Sequence, residues 1–211
     1  MGKFYLRVAL IAMLMLNLAV MAHAGSNSGT IYQTGTDQSN VNAAYQYQYD
    51  SYQRAVINQN GAGNSAKQTQ SGTNGYDSGY AEIAQYDIGN AALQFQEQDG
   101  SGAHNYAYMY QNGGYNYGYQ EQHGSGNMAY SYQTGQYNSD SQYQSGTGNY
   151  AEINQTGQYN RVEQSQTGVS NYAYAVQTGS NNFIHQEQYN SGHTSTVSQT
   201  GTGNVIYVYQ Y

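Results

Sequence analysis

Gln144-Ser145-Gly146-Thr147-Gly148-Asn149-Tyr150-Ala151-Glu152-Ile153-Asn154-Gln155 is the stretch that decides the fold. From Asn149 to Gln155 the residues alternate, as a strand with a side-chain period of two requires. Asn149, Ala151, Ile153 and Gln155 share one face, and Tyr150, Glu152 and Asn154 share the other. Between Gln144 and Asn149 lies a tight turn, in which Gly146 supplies the positive φ that other residues resist. The unit reads Gln-x-Gly-x-x-Asn-x-Ala-x-x-x-Gln.

This unit repeats along the chain. Gln recurs every eleven residues at Gln111, Gln122, Gln133, Gln144, Gln155, Gln166, Gln177, Gln188, Gln199 and Gln210. Gln96, Gln85, Gln70, Gln59, Gln48 and Gln33 continue the frame backwards with three longer intervals of fifteen, giving sixteen strands. The longer turns are Thr34 to Val41, Ser71 to Ser78 and Glu97 to His104, read as tolerated insertions. Strand-opening amides stand at Asn64, Asn90, Asn116, Asn127, Asn149, Asn171 and Asn204.

The fifth strand position exposes a longer period. In odd strands it holds Ile31, Ile57, Ile83, Met109, Ser131, Ile153, Ala175 and Val197; in even strands Gln46, Gln68, Gln94, Gln120, Gln142, Gln164 and Gln186, then Val208. The true repeat is 22 residues, two strands per coil, so strand n lies over strand n+2. The predicted class is all-β: a β-solenoid of two parallel sheets, with coils of strand-turn-strand and amyloid-forming ends. Eight coils rising ~4.8 Å each make a rod of ~38 Å. Stacked Asn and Gln amides form ladders along its axis, satisfying buried polar groups that would otherwise cost ~1–3 kcal/mol each.

Composition excludes other classes. The 211 residues contain no Cys, Pro or Trp, 26 Gly and 27 Tyr, and only 8% charged residues. A disulfide framework and a Cys-built zinc site are ruled out. A formal net charge of −7 with five Lys and Arg argues against nucleic acid as a partner. His23, His104, His123, His185 and His193 fall at no metal-ligand spacing, and the scattered carboxylates form no acid-base pair, so neither a metal, a cofactor nor an enzyme activity is predicted. Gly-rich turns such as Gly61-Ala62-Gly63 lead into strands and lack the helix N-terminus that cradles phosphate.

Residues 1–24 read as a secretory signal peptide. Lys3 and Arg7 form a basic head, Val8 to Val20 an apolar run interrupted by Asn17, and Ala22-His23-Ala24 a small-x-small cleavage site. The run is shorter than the ~20 residues a membrane span needs. Residues 25–211 form the repeat domain.

In its tandem 22-residue units behind a secretory signal, Gln-x-Gly-x-x-Asn-x-Ala-x-x-x-Gln resembles the curlin repeat of bacterial curli subunits, over residues 27–210. The resemblance implies a secreted, self-assembling subunit of an extracellular functional amyloid, whose fibres serve biofilm matrix, adhesion and cell aggregation. It implies three partners: further copies of the chain, a nucleating subunit and an outer-membrane secretion apparatus. The chain has more repeats than the familiar major subunit and no polar stretch between cleavage site and first repeat. A soluble binding module for ice or carbohydrate is the alternative, though its flat face would need a more regular Thr or Tyr array than Thr194-x-Thr196 and columns broken by Arg54, Glu82 and Glu152.

Three features stand out against the repeat. Asp140 takes an interior position usually held by Ala, and is read as a gatekeeper that slows assembly. The last strand, with Val205, Ile206, Tyr207, Val208 and Tyr209, is uncharged and β-branched or aromatic, as a strand-templating end should be. Tyr80, Tyr106, Tyr150 and Tyr172 align in an outer column interrupted by Met128.

Overall fold

The computed structural model describes residues 5–9, 17–23, 27–35, 41–49, 52–72, 79–99 and 103–211. Its strands are β1 (Tyr5–Ala9), β2 (Asn17–His23), β3 (Ser28–Thr34), β4 (Ala43–Tyr49), β5 (Arg54–Ala62), β6 (Ser65–Gly72), β7 (Tyr80–Ile88), β8 (Ala91–Gln98) and β9 (Tyr106–Gly114). They continue as β10 (Tyr117–Ser125), β11 (Met128–Gln136), β12 (Ser139–Thr147), β13 (Tyr150–Gln158), β14 (Arg161–Val169), β15 (Tyr172–Ser180), β16 (Phe183–Ser191), β17 (Thr194–Thr202) and β18 (Val205–Gln210). Odd strands form one sheet in the order β1-β3-β5-β7-β9-β11-β13-β15-β17, and even strands form the other. All ladder pairs are parallel, so the chain is a β-solenoid whose crossover from one strand to the next in its sheet is the strand of the opposite sheet.

The register is that of the sequence period. Gln111, Gln133, Gln155, Gln177 and Gln199 pair in succession down one sheet. Where a longer turn intervenes, the step is 26 residues, as from Gln59 to Gln85. Most of the three longer turns (36–40, 73–78 and 100–102) lies outside the described residues. The sixteen predicted strands are β3 to β18. β1 and β2, inside the segment read as a leader, pair with β3 and β4; an apolar extended segment can satisfy the open backbone groups of a sheet edge as a repeat strand does.

Inside, the predicted faces hold. Ile57, Ile83, Met109, Ile153 and Ile184 are fully buried, and Ala55, Ala81, Ala107, Ala129 and Ala151 pack beside them. The apolar interior falls into two clusters, one from Ile31 to Met109 and one from Ile153 to Val197 with Ile206 and Val208 against it. The coil of Ser131 and Asp140 separates them.

The turns differ from the reading as tight turns with one Gly. Strands run three residues past Gln into the arc, so β13 ends at Gln158, and Gly157 is paired with Gly135 below and Gly179 above. Arc amides therefore bond along the axis to neighbouring arcs, and the arc of each eleven-residue interval from Gln59 onward has two left-handed residues. The first, two residues after Gln, is Gly almost throughout: a Cβ at Gly135, where φ is 116°, would lie 2.0 Å from the Gly157 carbonyl oxygen. The second, four residues after Gln, admits Tyr115, Tyr137, Tyr159, Ser170 and Asn181 as well as Gly.

Candidate functional site

The strand-ending Gln of an inner coil works as a brace in two directions. Gln133 Nε2 donates to Gln155 Oε1 of the next coil at 3.0 Å and to the Tyr117 carbonyl of the opposite sheet at 2.9 Å. Gln111 in turn donates to Gln133 at 2.8 Å, so both N–H groups and the oxygen of the amide are used. The same geometry runs through Gln33, Gln59, Gln85, Gln111, Gln133, Gln155, Gln177 and Gln199 in one sheet. It recurs through Gln48, Gln70, Gln96, Gln122, Gln144, Gln166, Gln188 and Gln210 in the other. A third ladder climbs the even strands from Gln46 to Gln186.

The Asn residues hold the arcs. The Asn160 backbone N–H donates to Asn138 Oδ1 at 3.1 Å, and Asn160 Nδ2 donates to the Gly179 carbonyl of the arc above at 2.9 Å. Asn64, Asn90, Asn116, Asn127, Asn149 and Asn171 sit in these columns, fully buried, while Asn204 is exposed in the last coil. Asn42, Asn105, Asn138, Asn160 and Asn182 belong to the same columns and are missing from the sequence reading, although their offset, six residues before Gln, is the same. At His193 the ladder bond is made by the backbone N–H, to Asn171 Oδ1 at 3.0 Å.

The two ends of these ladders differ in sign. At the first repeat coil, Gln33 Oε1, Gln46 Oε1 and Gln48 Oε1 are buried acceptors without a donor. At the last coil, Gln199 and Gln210 each give one N–H to the opposite strand, Phe183 and Thr194 carbonyls at 3.0 Å, and have no coil above to take the other. β17 and β18 are the terminal strands of their sheets. Val205, Tyr207 and Tyr209 are exposed on β18, whereas Ile206 and Val208 are half-buried against the apolar cluster. The Gln46-to-Gln186 ladder ends inside the chain: Val208 stands where the next Gln would, and Gln186 Nε2 turns to Ser195 Oγ at 2.7 Å.

Asp140 lies in the interior position assigned to it, 1% exposed. Burial pushes its carboxyl up to about 7, offset in part by the Ser131 hydroxyl, which donates to Oδ2, and by the nearby Tyr119 backbone N–H. Oδ1 has no hydrogen-bond partner. Opposite it in the same sheet is Gly118, whose missing side chain leaves room for Met109.

On the outer face the tyrosine column is continuous where the sequence reads it as broken. Tyr130 leans across the gap left by Met128, with ring centroids 5.3 Å from Tyr106 and 5.5 Å from Tyr150. The other sheet carries charge: His123 lies between Glu97 at 3.0 Å and Glu121 at 2.7 Å, and His185 lies 3.0 Å from Glu163. Among the described residues no group of three or more His, Asp or Glu side chains could hold a metal ion.

No protein-family model matches the chain, and neither a curated protein nor a solved structure does.

Proposed function

We propose that the chain is a structural subunit of an extracellular amyloid fibre of the curlin type, built by stacking solenoids head to tail. The observation that carries this reading is the complementarity of the two ladder ends. Spare N–H donors on Gln199 and Gln210 match acceptors on Gln33 and Gln48. Backbone edges on β17 and β18 match those of β3 and β4 once a leader ending at Ala24 is removed with β1 and β2. The contact joins unlike surfaces and does not close on itself, so it generates a filament and not a ring.

Secretion through an outer-membrane apparatus and seeding by a nucleating subunit fit this reading, as does a role in biofilm matrix and adhesion. The exposed tyrosines Tyr115, Tyr137 and Tyr159 would supply sticky lateral surface. The test is dilution of residues 25–211 from denaturant, followed by sedimentation and fibre diffraction. Pelletable fibres with a spacing of ~4.7–4.8 Å along the axis are expected. A monodisperse monomer after days at micromolar concentration would contradict the proposal and favour a soluble binding module.

A further inference from the structure

Five tyrosines, Tyr80, Tyr106, Tyr130, Tyr150 and Tyr172, touch ring to ring along the outer face of the first sheet. Successive centroids are 4.8 to 5.5 Å apart. Two contacts are nearly parallel, Tyr80 with Tyr106 at 14° and Tyr150 with Tyr172 at 6°. Two of the phenols also have a proton acceptor. Tyr80 donates to Glu82, and Tyr150 donates to Glu152 Oε2 at 2.5 Å. Glu152 is itself held in place by Asn154 Nδ2 at 2.9 Å on its other oxygen.

A phenol gives up an electron easily only when its proton can leave with it. Ionisation beforehand is closed here, because burial, and then the hydrogen bond and charge of the adjacent Glu, hold the Tyr80 and Tyr150 hydroxyls well above the ordinary phenol value. A carboxylate at hydrogen-bond distance opens the concerted route, acting as general base. Tyr172, 38% exposed, gives an oxidant access to the column.

We propose that this column is a site of oxidative cross-linking, at which a haem peroxidase using hydrogen peroxide joins Tyr150 to Tyr172 as dityrosine. One oxidising equivalent removes an electron from Tyr150 as its proton passes to Glu152. The second removes an electron and a proton from Tyr172. The two phenoxyl radicals pair through a new bond between ring carbons ortho to the oxygens, and the displaced ortho hydrogens return to the oxygens to restore two phenols. Glu152 releases its proton to water. The two electrons and two protons reduce one hydrogen peroxide to two waters. The product staples β13 to β15 and makes successive coils inseparable without breaking a carbon–carbon bond.

The experiment treats the folded chain with a haem peroxidase and hydrogen peroxide, then maps dityrosine by peptic digestion and tandem mass spectrometry. The Tyr150–Tyr172 link should dominate, and Tyr172→Phe, which keeps the ring stack, should abolish it. Glu152→Gln preserves a hydrogen-bond acceptor but not a base, and should lower the link about ten-fold or more. In that variant the link between Tyr137 and Tyr159, whose rings stack at 5.0 Å without a carboxylate, should be unaffected, with strand content by circular dichroism unchanged. Absence of dityrosine, links spread evenly over other pairs, or a Glu152→Gln yield equal to that of the unsubstituted chain would each overturn the proposal.

Discussion

Ser131 and Asp140 face each other across the solenoid interior, the serine hydroxyl donating to the carboxylate, at the one coil that separates the two apolar clusters. The neighbouring coils fill this place with Met109 against Gly118 and with Ile153 beside Val162. A polar pair has replaced an apolar one, and the replacement carries a proton. With its carboxyl raised from 3.8 to about 7, Asp140 binds more protons folded than unfolded between those values, so stability falls as pH rises through that window. At neutral pH the loss is of order 4 kcal/mol.

Asp140→Ala should therefore shorten the assembly lag at about pH 7.5, and the advantage should vanish near about pH 3, where the carboxyl is largely neutral in both states. Asp140→Asn should flatten the same pH profile. Thioflavin kinetics across the range check both. An equal lag for Asp140→Ala and the unsubstituted chain at neutral pH would remove Asp140 from any gatekeeping role.

The arc glycines separate folding from stacking. At Gly135 an added Cβ would lie 2.0 Å from the Gly157 carbonyl oxygen, whereas at Gly201, in the last coil, the nearest atom is Asn204 Nδ2 at 3.6 Å. Gly135→Ala should disrupt the coil itself. Gly201→Ala bears only the strain of φ 110°, about 1–2 kcal/mol, within one chain. In a stack, its Cβ would strike the arc of the following subunit. The Gly201→Ala chain should thus keep its strand content by circular dichroism yet fail to elongate seeds.

Val208 and Ser195 mark the end of the third Gln ladder. Stacking head to tail would set Val208 beneath Gln46, whose Oε1 lacks a donor, a cost of about 1–3 kcal/mol per junction. Ser195→Ala with Val208→Gln would carry the ladder through the junction. The soluble concentration left at the end of assembly should drop about ten-fold or more, and its measurement after sedimentation is the check.

Much of this was legible because a β-strand with one buried face must repeat its chemistry every second residue, and a solenoid must repeat it every coil. Gln133 and Gln155 announce both periods. The second left-handed arc position was hidden because Tyr137, Ser170, Asn181 and Gly203 differ in side-chain chemistry; only the backbone makes them alike. The bridge by Tyr130 was hidden because it depends on how a side chain leans, which column counting ignores. The pairing of Gln186 with Ser195 crosses from one sheet to the other, a relation that comparing equivalent strand positions does not reveal. Nor does the period predict β1 and β2, whose sequences lack the repeat.

Head-to-tail stacking makes one intermolecular pair decisive. If β17 of one subunit receives β3 of the next in the register seen within the chain, Thr200 lies beside Thr34, both exposed. Strands ~4.8 Å apart bring the two Cα atoms within disulfide range, and the chain has no Cys of its own. Thr34→Cys and Thr200→Cys chains, mixed in equal amounts, assembled and oxidised, should give mixed disulfide dimers on a non-reducing gel, while fibres of either variant alone give none. Fibres of the mixture without mixed dimers, or Thr200→Cys chains that link to themselves, would contradict the account.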